Sequence, residues 1–161
     1  MVRGLFPEAS LFFPSFQHYS SIIAGNSRRL IRSFLPAILA FILSVILLTL
    51  PGSSFPSENW MGNIHLDKFI HVGMFGGLTF LACWGFYCRF TDNAAGTAIN
   101  KTALWRSFIY VCITAIAYGI IMEYVQRDFI PNRSFDSGDI LADGAGAVLG
   151  MLYSRYRYIK K

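Results

Sequence analysis

Charge is what this sequence has least of. Only 14% of its 161 residues are Asp, Glu, Lys or Arg, against roughly 25% in an ordinary soluble domain, while 54% are hydrophobic. That balance does not fit a water-soluble monomer. Cysteine is also scarce. Cys83, Cys88 and Cys112 lie in apolar settings with no C-x-x-C and no Cys/His ligand spacing, which excludes a disulfide framework and a zinc ribbon. A cleavage site is missing as well. The first long apolar run follows more than thirty residues and is followed by Leu-Pro-Gly-Ser-Ser-Phe-Pro with no small-x-small pattern, so it reads as a retained helix rather than a signal peptide.

What is present is a series of apolar runs, each near the 17 to 25 residues that span a hydrocarbon core. They predict an all-α polytopic membrane protein, a bundle of four transmembrane helices over about 34–50, 66–87, 107–126 and 139–156. Pro51 and Gly52 end the first. Asp67, Lys68 and His71 bunch at the start of the second, and Glu123 and Gln126 in the last turn of the third. The fourth is short and glycine-rich, with Asp143 one turn inside it. Residues 1–32, interrupted by Pro7 and Pro14, read as a loosely ordered or interfacial cytoplasmic tail. An amphipathic anchor at Ser21–Arg32 has little sequence support. Residues 33–156 form the membrane domain, and 157–161 a basic tail.

The net charge of +5 would in a soluble protein point to nucleic acid, but its placement points to topology. With four crossings, Arg3, Arg28, Arg29, Arg32, Arg89, Lys101, Arg106, Arg155, Arg157, Lys160 and Lys161 fall on the side of the two tails. Only Lys68, Arg127 and Arg133 fall opposite, with Glu58, Asp67, Glu123, Asp128, Asp136, Asp139 and Asp143. By the positive-inside rule both termini are cytoplasmic. The expected partner is the lipid bilayer, with no role for nucleic acid. The cysteines then lie in the inner halves of the second and third helices as reduced small hydrophobes.

Three segments bring polar residues to one membrane level: Asp67, Lys68 and His71; Glu123 and Gln126; and Arg133, Asp136, Asp139 and Asp143. The spacings 67/71, 123/126 and 139/143 put each pair on one helical face. Ionisable groups in a membrane segment are costly, so their retention is a functional hypothesis. Each also has a plain structural reading. Asp67 and Lys68 suit an interfacial helix start. Asp136 or Ser137 suits an N-cap with Asp139 in the first turn. Glu123, disfavoured by the dipole near a helix end, is expected to pair with Arg133, Lys68 or His71. Gly73-x-x-x-Gly77 and Gly146-x-x-x-Gly150 are expected to serve close helix packing, and Met74, Phe75, Phe80 and Trp84 to be core or lipid-facing.

The ordered set Leu50-Pro51-Gly52, Asp67-Lys68-x-x-His71, Glu123-x-x-Gln126, Pro131-x-Arg133-Ser134-x-Asp136-x-x-Asp139 and Ala142-Asp143-x-x-Gly146-x-x-x-Gly150 resembles the VanZ-like family of small bacterial membrane proteins, over about residues 40–152. Asp143 stands where many relatives are expected to carry Asn. The resemblance implies a protein of the bacterial cytoplasmic membrane with an association to teicoplanin resistance or cell-envelope modification.

Three function classes follow. In the first, the outer-facing cluster binds a lipoglycopeptide or a lipid-linked cell-wall precursor. Lys68, Gln126, Arg133, Asp136, Asp139 and Asp143 are the expected binding residues, with the cations on phosphate or carboxylate. In the second, the cluster is a membrane-embedded hydrolase or transferase with Asp67, His71 and Glu123 as catalytic groups. Ser134 beside Arg133 is the nearest nucleophile candidate. A metal-assisted variant would draw on Asp67, His71, Glu123, Asp139 and Asp143, but no tight metal motif is present, so no metal and no cofactor are expected. Proton-coupled transport ranks last, because the inner halves of the helices read as apolar.

Overall fold

The computed structural model describes residues 14–51, 66–94 and 97–160, with the backbone alone described for 14–30 and 66. Among them the chain is all-helical: α1 (Pro14–Thr49), α2 (Leu66–Ala94), α3 (Lys101–Phe129) and α4 (Ser137–Tyr158). Residues Ser33–Lys161 form one compact unit. The expectations for residues 1–13, the side chains of residues 21–30, Gly52 and the 52–65 loop with Glu58 lie outside the described residues.

Every helix is longer than its apolar run. Hydropathy marks the part that tolerates lipid, whereas a helix ends where its terminal amides and carbonyls find other partners. α3 begins six residues ahead of the expected start because Asn100 caps it, Oδ1 accepting the Ala103 N–H at 3.0 Å. α1 begins at Pro14, a first-turn position where the missing proline N–H is no loss. The proline expected to break a helix there instead starts one.

Among the described residues three helical stretches are long and apolar enough to cross a membrane: Ile31–Thr49, Asp67–Ala94 and Lys101–Phe129, with mean hydropathies of 2.4, 1.5 and 1.8. α4 is built differently. Its buried stripe is small and polar, comprising Asp139, Ala142, Asp143, Gly146, Ala147, Gly150 and Ser154. Its exposed face carries Leu141, Val148, Leu149, Leu152, Tyr153 and Tyr156.

α4 packs against both α2 and α3, and it lies closest to α2. Backbones touch there. A β-carbon on Gly146 would collide with the Val72 carbonyl oxygen, and one on Gly150 with the Gly76 carbonyl oxygen. Gly146-x-x-x-Gly150 therefore packs as expected. Gly73 and Gly77 do not, since nothing lies within 4 Å of a side chain at either. The contact glycine of α2 is Gly76. One residue is about 100° of helical turn, and the face of α2 that meets α4 runs through Val72, Gly76 and Thr79. Phe75, fully buried, stacks on Tyr118 of α3 at 5.5 Å. Met74, Phe80 and Trp84 are half-buried around it. From α1, Phe34 meets Phe86 edge-on at 5.1 Å, and Ser44 shares a 3.0 Å hydrogen bond with the Tyr118 hydroxyl. The cysteines are free thiols, Cys83 and Cys112 being buried.

Candidate functional site

α2 and α4 start, and α1 and α3 end, at the same end of the bundle. The reversal from α3 to α4 takes seven residues, 130 to 136, and turns on Asn132 with φ of 59°, the left-handed region that Asn tolerates better than most side chains. This short connection brings Asp136, Asp139 and Asp143 beside Glu123 and opposite the first turns of α2.

Lys68 is the hub. Its Nζ lies 2.5 Å from Asp136 Oδ2, 2.6 Å from Asp139 Oδ1 and 3.2 Å from Asp67 Oδ2. The oxygens of Asp67, Asp136 and Asp139 lie within 4.8 Å of one another, a spacing that suits a cation, and the ammonium is the cation between them. Gly138 makes room for the lysine, since a β-carbon there would fall 2.7 Å from Lys68 Cε. Lys68, expected to meet a ligand phosphate or carboxylate, is thus engaged with this chain's own acids.

Asp136 ties three segments together. Its Oδ1 accepts the Gly138 N–H at 2.7 Å, which makes it the N-cap of α4 as expected. Its Oδ2 takes the lysine, and its own N–H donates to Glu123 Oε1. Glu123 therefore plays the part in trans that the fourth residue of a capping box plays within one helix. The acid that the dipole of α3 disfavours serves the start of α4. The Lys68 ammonium, and next the Gly138 amide, hold the Asp136 carboxyl below the usual carboxylate range.

Behind this outer layer lies a buried one. His71 Nδ1 and Asp143 Oδ1 are 2.8 Å apart, and His71 Nε2 is 3.8 Å from Asp139 Oδ2. His71, Glu123, Asp139 and Asp143 are all at least nine-tenths buried. Around one ammonium and one imidazole stand five carboxyl groups, those of Asp67, Glu123, Asp136, Asp139 and Asp143.

Gln126 is committed to structure. It is 2% exposed, and its Nε2 donates to the Leu48 carbonyl at 2.9 Å. That carbonyl lies in the last turn of α1, where no intrahelical donor remains. Arg133 is half-buried and Ser134 exposed in the connecting loop. Below the site the interior is less apolar than expected, since Ser44, Thr79 and Ser154 are fully buried. Ser44 and Ser154 donate to the carbonyls of Phe41 and Gly150.

No family model, no curated protein and no solved structure matches this chain. The site stands on its own residues. All nine residues expected from the sequence lie at this one end. The residue types did not mark the glycines that admit them, Gly138 beside Lys68 and Gly119 of α3 against the Asp143 carboxylate; a glycine inside an otherwise apolar helix was the available signal for the second.

Proposed function

We propose that this chain is a four-span, VanZ-like protein of the bacterial cytoplasmic membrane, with both termini in the cytoplasm. Its outer-side polar site binds a lipid-linked envelope molecule or a lipoglycopeptide. One observation carries the reading: three separate segments place His71, Glu123, Asp139 and Asp143 together in a buried cluster at one end of apolar helices, where uncompensated polar groups would be expensive. α4, with its apolar face out and its acids in, suits a fourth crossing, and its 22 residues reach about 33 Å. The opposite end supports the orientation. There Arg155 lies 4.5 Å over the Trp105 ring, Tyr87 stacks on Tyr158, and Lys101 bonds the Ile159 carbonyl; the aromatics suit either membrane interface, and the cations suit the cytoplasmic one. Five carboxyls around Lys68 and His71 suit the amine and hydroxyl groups of a peptide- or sugar-bearing headgroup.

The test is susceptibility to teicoplanin and vancomycin in a sensitive host, compared with Glu123→Gln and His71→Ala at matched levels of inserted protein. Protection against teicoplanin that either substitution removes supports the reading. No protection from inserted wild-type protein removes the resistance role and turns the search to envelope lipids.

The His71–Asp143 contact favours a second reading, a hydrolase or transferase at the outer leaflet. A buried carboxylate on Nδ1 fixes the tautomer and leaves Nε2 as the basic nitrogen, here turned toward Asp139. Release of a headgroup from lipid-linked precursor by purified protein, lost in His71→Ala, is the outcome this reading requires.

A further inference from the structure

We infer that Gly119 is a positioning residue of this site: the side chain it lacks is the space that receives the Asp143 carboxylate and so holds that carboxylate on His71. The inference rests on the reading of His71 as the working group. A β-carbon at residue 119 would stand 2.7 Å from Asp143 Oδ2, 3.0 Å from its Cβ and 3.2 Å from its Cγ. The carboxylate is therefore clasped from two sides, with Oδ2 over the bare backbone of α3 and Oδ1 at 2.8 Å from His71 Nδ1. Asp143 is 4% exposed, so it has no solvent to turn into. Nor can α4 adjust freely, because Gly146 already touches the backbone of α2. A methyl group at 119 must move the carboxylate by several tenths of an ångström, and a hydrogen bond of this kind weakens over such a displacement. Glycine inside a helix is less favourable than alanine, and here it stands in α3 directly against the Asp143 side chain.

The test reads His71 directly. Ring nitrogen shifts are recorded by NMR on histidine-labelled protein in detergent or nanodiscs, with His71→Ala used to assign its signals apart from His18 and His65. Gly119→Ala is compared with Asp143→Asn and with Gly77→Ala, a position where nothing lies within 4 Å. The expected result is that Gly119→Ala moves the His71 signals to those of Asp143→Asn while Gly77→Ala leaves them at wild-type values. Folded Gly119→Ala with wild-type His71 signals overturns the inference. If Gly119→Ala does not fold, the double variant Gly119→Ala/Asp143→Gly, which removes the opposing atoms, is expected to fold. Its failure too would place the collision elsewhere and overturn the inference. These shifts are read without any ligand, so they decide the role of Gly119 even if no drug protection is found.

Discussion

Lys68 and Asp136 show how much of this site is one network of local charges. Replacing Lys68 by Met leaves the carboxyls of Asp67, Asp136 and Asp139 facing one another without the ammonium that bridges them. Asp139 is buried while Asp67 and Asp136 are partly solvated. The expected loss falls between the ~1 kcal/mol of an exposed ion pair and the ~3–5 kcal/mol of breaking a buried one, read as a lower unfolding temperature in detergent. Asp136→Ala also removes the cap of α4, a loss of about 1 kcal/mol. Its pH dependence has a definite sign. The folded carboxyl titrates below its ordinary value of 3.8, so its contribution is fully present above that value and is lost as pH falls through the lower folded one. The stability difference between wild type and Asp136→Asn is therefore expected to be constant from neutral pH down to about pH 5 and to shrink below pH 4. At this scale the sequence named the participants, because Asp, Lys, His and Glu stand out against apolar neighbours. It did not assign their partners, because Glu123 bonds a backbone amide rather than a side chain.

Among the helices, the contact of α2 with α4 depends on which glycine faces which backbone. Gly146→Ala puts a β-carbon against the Val72 carbonyl, and backbone cannot yield as a side-chain tip can. Its cost should be about 1–3 kcal/mol. Gly73→Ala, with nothing within 4 Å of its β-carbon, should cost nothing and gain up to about 1 kcal/mol from helix propensity. Thermal unfolding of the two variants in one detergent checks both, and equal losses would remove this account of the interface. The motif Gly-x-x-x-Gly was legible in both helices. Spacing alone could not choose between Gly73/Gly77 and Gly76, since that depends on how α2 is rotated against its neighbour. Helix ends had the same limit. Hydropathy located the apolar stretches, while Asn100 and Asp136 located the starts of α3 and α4.

For the whole molecule, α4 sets the side on which each end lies. Single cysteines at Ser134 and Lys160, placed in a variant lacking Cys83, Cys88 and Cys112, flank that helix. An impermeant thiol reagent on intact cells is expected to label Ser134→Cys and to reach Lys160→Cys only after permeabilisation; labelling of both from one side would mean that α4 does not cross. The sequence by itself determined that the chain is helical and apolar enough for a membrane, and which polar residues are exceptions to that rule, because composition and run length are local properties of the chain. Only the tertiary structure decided that Lys68 is already held by this chain's own acids, that Gln126 closes the end of α1, and that Gly119 and Gly138 are spaces shaped to a carboxylate and a lysine. Those are properties of distance between segments far apart in sequence, set by the rotation and closeness of packed helices.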